Sequence, residues 1–296
     1  KYMNKHFYFD NLIKNLEKNL EFKYNIKNII NPFTPYYISN FYFGHELIKF
    51  KMPPTESIDI SSKKNIEKIK DNDIIFVQIN EFDKFCSNIL PLIKCKFILI
   101  TGQTHLPKLK KSKNTDLIIN DNRIIKWFSQ NPIYKNEKYF SFPYGINNGV
   151  SLNNAPQKKL IINYVKILLE KNNKNLNIIN LNLRVTHPCR KIFKPEPRLN
   201  LYDFYKKMSE ARFILSPIGD RDDCYRHWES IGFGTIPISN VNELYKDLFQ
   251  DNMIYVNNTQ EMLKLYNEQQ NLDYKCPNRD LICVDYWKDY IQEKIK

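Results

Sequence analysis

The chain has 296 residues, of which 42% are hydrophobic and 14% are aromatic. This length and composition suffice for two domains of ordinary size and exclude an intrinsically disordered chain. No window of the sequence approaches the ~18 consecutive apolar residues of a membrane span. The formal net charge of +13 favours anionic partners such as nucleotide sugars, acidic glycans or nucleic acid, although a solvated surface is the simpler explanation of the lysine runs.

Six cysteines at irregular spacing do not predict a disulfide framework, and the pattern lacks a CxxC-type set of zinc ligands. Cys86 and Cys95 lie among apolar residues that are typical of a core, whereas Cys276 and Cys283 are a candidate pair. This cysteine usage favours a reducing compartment. We therefore expect a cytoplasmic protein.

The first half of the chain alternates helical and strand-like patterns. A helical period over residues 9–22 predicts an opening helix, and apolar β-branched runs over 73–79 and 96–101 predict two strands with a helix over 82–93 between them. The following patterns predict a third strand over 116–119, a short helix over 123–130 and a strand over 139–142. Strands that alternate with helices in this way indicate a parallel sheet.

Polar side chains follow the first two of these strands. Glu81 and Asp83 come after the first strand, and His105 lies in the polar turn after the second. Ligands of open parallel sheets bind at the carboxyl ends of strands, so each of the three is a candidate general base. For His105 the ordinary alternative is an exposed turn that caps a helix, and the sequence does not rank the three.

A stretch rich in Gly, Asn and Pro over residues 143–149 predicts a domain boundary near residue 150. We therefore expect an N-terminal domain over 1–150 and a C-terminal domain over 151–296, whose last helix is able to pack back on the first domain. The elements predicted for the second domain are a helix from Pro156 to about 170, a strand over 176–185, a helix over 241–249, a strand over 253–256, a helix over 259–269 capped by Thr259, and a last helix over 280–295.

Residues 211–239 predict a strand, a turn, a helix and a second strand. The turn is Ser216-Pro217-Ile218-Gly219, and Asp222 or Asp223 caps a helix that runs to about Phe233. The N-terminus of a helix that follows a strand offers N–H groups to an anion. This unit therefore predicts a phosphate site.

The predicted helix has an apolar stripe that includes Trp228 and a charged side with Arg226 and Glu229. Arg226 and the neighbouring Arg221 suit a phosphate, and Glu229 suits hydrogen bonds from sugar hydroxyls. The alternative is a surface helix with ion pairs. Arg184 and Arg190 lie near the end of the predicted strand over 176–185. Their positive charges could bind a diphosphate, and the alternative is an ordinary basic loop.

The run FILSPIGDRDDCYRHWESIGFGTIPIS resembles the signature of exostosin-like glycosyltransferases, which is roughly F-x-L-x-P-x-G, a few residues, then D-x-x-R-x-W-E-x-x-x-x-G-x-I-P-I. The matching positions are Phe213, Leu215, Pro217, Gly219, Asp223, Arg226, Trp228, Glu229, Gly234, Ile236, Pro237 and Ile238. Segments over 127–131 and 142–146 also resemble the first half of the family, whereas Thr186-His187-Pro188 and Arg190 depart from it in spacing. The resemblance spans residues 74 to 256.

This resemblance implies an α/β protein of GT-B architecture, in which two Rossmann-like domains face a cleft. It implies an inverting transfer of a sugar from a nucleotide diphosphate donor, which we expect to be UDP-linked, to a hydroxyl of a glycan or glycoconjugate. The predicted donor-binding residues are Arg184, Arg190, Ser216, Pro217, Gly219, Arg221, Asp223, Arg226 and Glu229.

A D-x-D pair that would hold a divalent metal does not occur at the expected place, and the acidic run over 220–223 comes nearest. We therefore predict transfer without a metal or a cofactor. An epimerase or phosphorylase would need its own signature, and the sequence lacks both G-x-G-x-x-G and a P-loop. The other alternative is a non-catalytic basic protein that binds RNA or glycans through stacked aromatic residues, but no RNP or KH pattern is present and we expect no nucleic-acid partner.

Overall fold

The structure is a computed structural model that describes residues 14, 28–44, 56–103, 106–147, 158–170, 172–181, 183–194 and 196–296. The chain divides into two compact units. The six-stranded unit consists of Pro32–Pro143 with Lys288–Lys296, and the four-stranded unit consists of Tyr144–Trp287 with the described residues of Lys1–Asn31. The helix predicted over residues 9–22 lies outside the described residues, apart from Lys14.

The strands of the six-stranded unit are β1 Phe41–Phe43, β2 Ile58–Asp59, β3 Ile74–Gln78, β4 Phe97–Gly102, β5 Ile124–Ser129 and β6 Tyr139–Ser141. They form a fully parallel sheet with the order β2-β1-β3-β4-β5-β6. Both central strands that the sequence predicts are confirmed as β3 and β4, and almost every residue in them is buried, as expected for a sheet covered on both faces.

The helices of this unit are α1 Thr34–Ile38, α2 Lys63–Ile66, α3 Phe82–Lys84 and α4 Lys113–Asn120. Helix α3 is part of a longer helical stretch with 3-10 turns over Ile79–Glu81 and Leu90–Leu92 and a π-helical segment over Phe85–Ile89, which confirms the helix predicted over 82–93.

Two sequence predictions in this unit are wrong. Residues 116–119 belong to helix α4, because Ser112 and Thr115 form a capping box that starts a helix and Ile118 supplies its buried side. Residues 123–130 contain strand β5, because burial of Trp127 and Phe128 between β4 and β6 outweighs the helical pattern. Trp127 also donates a hydrogen bond of 2.9 Å to the hydroxyl of Thr101.

The strands of the four-stranded unit are β7 Leu176–Ile179, β8 Ala211–Leu215, β9 Ile236–Ser239 and β10 Ile254–Tyr255, and they form a second parallel sheet with the order β10-β9-β8-β7. Its helices are α5 Lys158–Leu169, α6 Leu201–Ser209, α7 Tyr225–Gly232, α8 Lys246–Phe249 and α9 Thr259–Asn267, with 3-10 turns over Pro188–Ile192, Glu243–Tyr245, Gln250–Asn252 and Arg279–Ile282. The last helix, α10 Val284–Ile295, begins in this unit, and its residues from Lys288 onward belong to the six-stranded unit. The strand predicted over 176–185 already ends at Ile179, and helix α6 was not predicted.

The caps of these helices differ from the predicted ones. Asn258 rather than Thr259 caps α9, since its side chain accepts a hydrogen bond of 2.9 Å from the main-chain N–H of Glu261.

All six cysteines are free thiols, so the candidate pair of Cys276 and Cys283 does not form. Among the described residues, no helix has both the length and the apolar character needed to cross a membrane.

Candidate functional site

The segment from β8 to β9 has the predicted order of strand, loop, helix and strand. Its loop leaves the carboxyl end of β8 at Ser216, and helix α7 begins at Tyr225. The predicted cap at Asp222 or Asp223 is wrong. Cys224 is the N-cap residue, and its main-chain N–H donates a hydrogen bond of 3.3 Å to Nδ1 of His227.

Asp223 cannot cap the helix because its carboxylate is turned into the interior of the four-stranded unit. Oδ1 accepts a hydrogen bond of 2.7 Å from the indole N–H of Trp228, and Oδ2 accepts one of 2.8 Å from the main-chain N–H of Tyr144. Burial raises the pKa of Asp223. These contacts hold the segment after residue 143 against α7.

Glu229 lies one turn further along α7 and is only 5% exposed. Its Oε1 accepts a hydrogen bond of 3.1 Å from the hydroxyl of Tyr205, and the main-chain N–H of Asn147 also donates to the carboxylate. Burial raises the pKa of Glu229 to about 7, against the opposing effects of Arg226 and these hydrogen bonds. A carboxylate has about four lone-pair positions, so Glu229 can accept further hydrogen bonds.

The alternative of a surface helix with ion pairs is therefore wrong for α7. Every residue from His227 to Gly232 is buried, and Phe249 and Trp287 pack on Trp228 while Tyr205 of α6 contacts Glu229. Tyr164 of α5 packs on Tyr205 of α6 with ring centroids 5.5 Å apart. A carboxylate in such surroundings has been removed from water, so its hydrogen-bond partners matter more than at a surface.

Two arginines accompany this carboxylate near the carboxyl end of β8. Arg226 donates a hydrogen bond of 3.2 Å to the carbonyl of Leu215 and lies 5.7 Å from the ring centre of Phe204. Burial lowers the pKa of Arg226 to about 10, so it remains a cation at neutral pH. Arg221 is buried and its guanidinium lies 4.6 Å from the ring centre of Tyr144. Arg221 lies within the loop that the sequence predicts as a phosphate site, and Arg226 lies in the first turn of the helix that follows it.

Arg190 lies in the 3-10 turn after β7 and stabilises the same loop through hydrogen bonds. Its guanidinium donates hydrogen bonds to three carbonyls, those of Ile218 at 2.8 Å, Pro217 at 2.6 Å and Arg184 at 3.1 Å. The packing is close, since a Cβ on Gly219 would lie 3.0 Å from Nη2 of Arg190. Arg190 and Gly219 thus set the shape of the turn.

A cavity of about 710 Å³ follows the carboxyl end of β7. Its volume falls within the range of about 300–1,000 Å³ that is typical of small-molecule sites. Phe204 connects it to the charged residues of α7, because this ring also contacts Arg226. The lining combines cationic, amide and aromatic side chains: Asn163, Leu183, Arg184, Glu196, Arg198, Leu199, Asn200, Leu201, Tyr202 and Phe204.

Ser216 and Pro217 are buried at the start of the loop, and His227 is buried behind them. Nε2 of His227 lies 3.1 Å from the carbonyl oxygen of Ser216 and 3.1 Å from Oγ of Ser239. Sequence reasoning predicted Arg184 but missed His227, Tyr205 and the other residues of the cavity. No local pattern marks Tyr205 or the other cavity residues, because they reach the site from elements separate from α7.

Two of the three candidate bases, Glu81 and Asp83, lie in the six-stranded unit. His105 lies outside the described residues. Glu81 is buried in the 3-10 turn after β3 and forms an ion pair of 2.9 Å with Lys84. Asp83 is exposed, and its Oδ1 accepts a hydrogen bond of 2.6 Å from the amide of Asn114. Both carboxylates follow the carboxyl end of β3, as predicted.

Across the described ranges, no group of three or more His, Cys, Asp and Glu side chains is placed to hold a metal ion. A comparison with models of known protein families gave no match, and a comparison with curated proteins found no similar sequence.

Proposed function

We propose that this protein is an inverting glycosyltransferase that uses a nucleotide diphosphate sugar, with UDP as the expected nucleotide. One observation carries the proposal: a cavity lined by Arg184 and Arg198 adjoins Arg226, which shares α7 with the buried carboxylate of Glu229. This arrangement lies beyond the carboxyl ends of parallel strands, where α/β folds bind nucleotides.

In the proposed reaction, the acceptor oxygen attacks the anomeric carbon of the sugar while the bond from that carbon to the diphosphate oxygen breaks. The configuration at the anomeric carbon inverts because the acceptor enters opposite the leaving group. Arg221 and Arg226 stabilise the charge that develops on the diphosphate, as preorganised cations do in many active sites, and no metal takes part. Glu229 orients the ribose by accepting hydrogen bonds from its hydroxyls.

A base removes the proton of the acceptor hydroxyl, and Glu81, Asp83 and His105 are the candidates. The proposal includes the GT-B arrangement that the resemblance implies, with the donor on the four-stranded unit and the glycan acceptor on the six-stranded unit. Asp83 is the stronger carboxylate candidate of the two that are described, since it is exposed whereas Glu81 is paired with Lys84.

A thermal-shift panel of UDP-, GDP- and CMP-sugars tests this proposal, with single-stranded RNA over a range of salt concentrations as the comparison. A ligand at 100 times its dissociation constant stabilises the folded state by about 2.7 kcal/mol. We expect stabilisation by a UDP-sugar and slow release of UDP from it. Arg226→Lys should weaken the shift, whereas Arg212→Lys, an exposed change on β8, is the matched control. Salt-sensitive stabilisation by RNA with no nucleotide-sugar effect would refute the proposal and favour the non-catalytic alternative.

A further inference from the structure

Helix α6 contacts both the cavity and the charged side chains of α7. Tyr202 and Phe204 line the cavity, and the ring centre of Phe204 lies 5.7 Å from the guanidinium of Arg226. The next residue, Tyr205, donates a hydrogen bond of 3.1 Å from its hydroxyl to Oε1 of Glu229. Neighbouring residues of one helix therefore contact the cavity, the cation and the carboxylate of the proposed donor site.

The ring of Tyr205 is enclosed by other aromatic rings. Only 1% of the residue is exposed, and the ring centres of Tyr164 and Phe233 lie 5.5 and 5.7 Å from its own. Phe204 adds a third ring at 5.2 Å. A phenol that is packed in this way holds its hydroxyl in a fixed direction, so the hydrogen bond to Glu229 is already in place before a ligand binds.

The hydroxyl of Tyr205 remains a donor at neutral pH. Burial raises its pKa well above the ordinary value, and the nearby charge of Glu229 raises it further. Burial also raises the pKa of Glu229 to about 7, although Arg226 opposes this effect. The hydrogen bonds from Tyr205 and from the main chain of Asn147 oppose it as well. Without the phenol hydroxyl, the carboxyl group would hold its proton to a higher pH.

Other titratable side chains act on the carboxylate from neighbouring positions. Tyr164 lies on α5, Tyr225 and Arg226 lie on α7, and Cys224 caps α7. Burial raises the pKa values of both tyrosines well above the ordinary value and lowers that of Arg226 to about 10, so these three mainly keep one charge state up to pH 9. The thiol of Cys224 is retained in every variant compared, so any change in its charge affects all of them alike.

We propose that Tyr205 is a positioning residue for donor binding, whose hydroxyl keeps the carboxylate of Glu229 ionised and correctly oriented for the ribose. A carboxylate has about four lone-pair positions, so the two hydrogen bonds from Tyr205 and Asn147 leave about two for the ribose hydroxyls. The role in donor binding rests on the proposed function, whereas the effect on the ionisation of Glu229 does not require it.

Calorimetric titration with UDP between pH 6 and 9 tests this role in the original protein and in Tyr205→Phe, which keeps the ring and removes the donor. Losing a hydrogen bond to a charged group raises the pKa of that group by about one or more. The pH of half-maximal affinity should therefore rise from about 7 to about 8. The affinity at pH 7 should fall roughly fivefold, and most of this loss should disappear at pH 9.

Tyr164→Phe is the matched control. It removes a hydroxyl from the same aromatic cluster, but that hydroxyl donates a hydrogen bond of 3.4 Å to the main-chain carbonyl of Glu229 rather than to its carboxylate. The pH of half-maximal affinity should stay near that of the original protein. A ring-fluorinated tyrosine in place of Tyr205, whose hydroxyl is a stronger donor, should move this pH downward, and it provides the test if Tyr205→Phe does not fold.

Urea unfolding of the same variants measures the effect on Glu229 without a ligand. Tyr205→Phe should lose more stability at pH 9 than at pH 5, because the hydrogen bond is stronger to the ionised carboxylate, and an equal loss at both pH values would overturn this effect. UDP binding with an unchanged pH profile in Tyr205→Phe, or with the same loss of affinity at pH 7 and pH 9, would overturn the positioning role. Absence of UDP binding in every variant would refute the proposed transfer and the role in donor binding, while the unfolding data would still show whether Tyr205 stabilises the ionised carboxylate.

Discussion

Replacing Glu229 by glutamine should change the pH dependence of both stability and donor binding. Burial raises the pKa of Glu229 from 4.5 to about 7, so the folded chain holds this proton more tightly than the unfolded chain does. Its contribution to stability is therefore fully present below about pH 4.5 and is lost as the pH rises through 7. The difference corresponds to about 3 kcal/mol, since one pKa unit is worth about 1.4 kcal/mol.

Urea unfolding of the original protein and of Glu229→Gln, followed by tryptophan fluorescence between pH 4.5 and 8, measures this difference. From pH 4.5 to pH 8, the free energy of unfolding of the original protein should decrease by about 3 kcal/mol more than that of the variant. Glu210→Gln is a matched control, because Glu210 is half-buried after α6 and lies 3.7 Å from Lys206. Parallel curves for the original protein and the Glu229 variant would refute the reasoning.

Donor binding should depend on pH in the opposite direction. The ionised carboxylate accepts hydrogen bonds from ribose hydroxyls, so the affinity for UDP should increase as the pH rises from 6 to 8. Glu229→Gln should lower that affinity by about tenfold or more at pH 8, because a hydrogen bond to a charged group is worth about 1.5–3 kcal/mol. Calorimetry at both pH values measures this, and unchanged affinity in a folded variant would exclude the binding role.

Three further predictions concern positioning, packing and chemistry. Asp223→Asn replaces one of two acceptor oxygens by a donor in a buried site, so urea unfolding should show a loss of about 1–3 kcal/mol. Gly232→Ala should also lower the free energy of unfolding by about 1–3 kcal/mol, because the added Cβ would lie 1.9 Å from the hydroxyl of Tyr164; unchanged stability would show that the ring moves easily. Asp83→Asn should strongly reduce turnover with UDP affinity retained, Glu81→Gln should reduce it less, and EDTA should leave turnover unchanged; full activity of both variants would leave His105 as the remaining candidate.

Local pattern alone predicted the elements in which chain propensity and burial agree. The runs that became β3, β4, β8 and β9 are short and apolar, contain β-branched residues and are bounded by turn residues, which favours a strand. The same sequence pattern predicted the turn Ser216–Gly219 and the helix after it.

Tertiary packing decided the remaining features. Residues 123–130 form a strand because two neighbouring strands bury Trp127 and Phe128, which a window of eight residues does not reveal. Glu229 was predicted on the charged side of the helix, and the structure shows in addition that Tyr205 of α6, which is distant in sequence, donates a hydrogen bond to it. The helix cap is Cys224 rather than Asp223, whose carboxylate instead accepts hydrogen bonds from Trp228 and from the main chain of Tyr144. Pattern predicts the backbone where propensity and burial agree, whereas the burial that raises the pKa of Glu229 comes in part from Tyr205, which is distant in the chain.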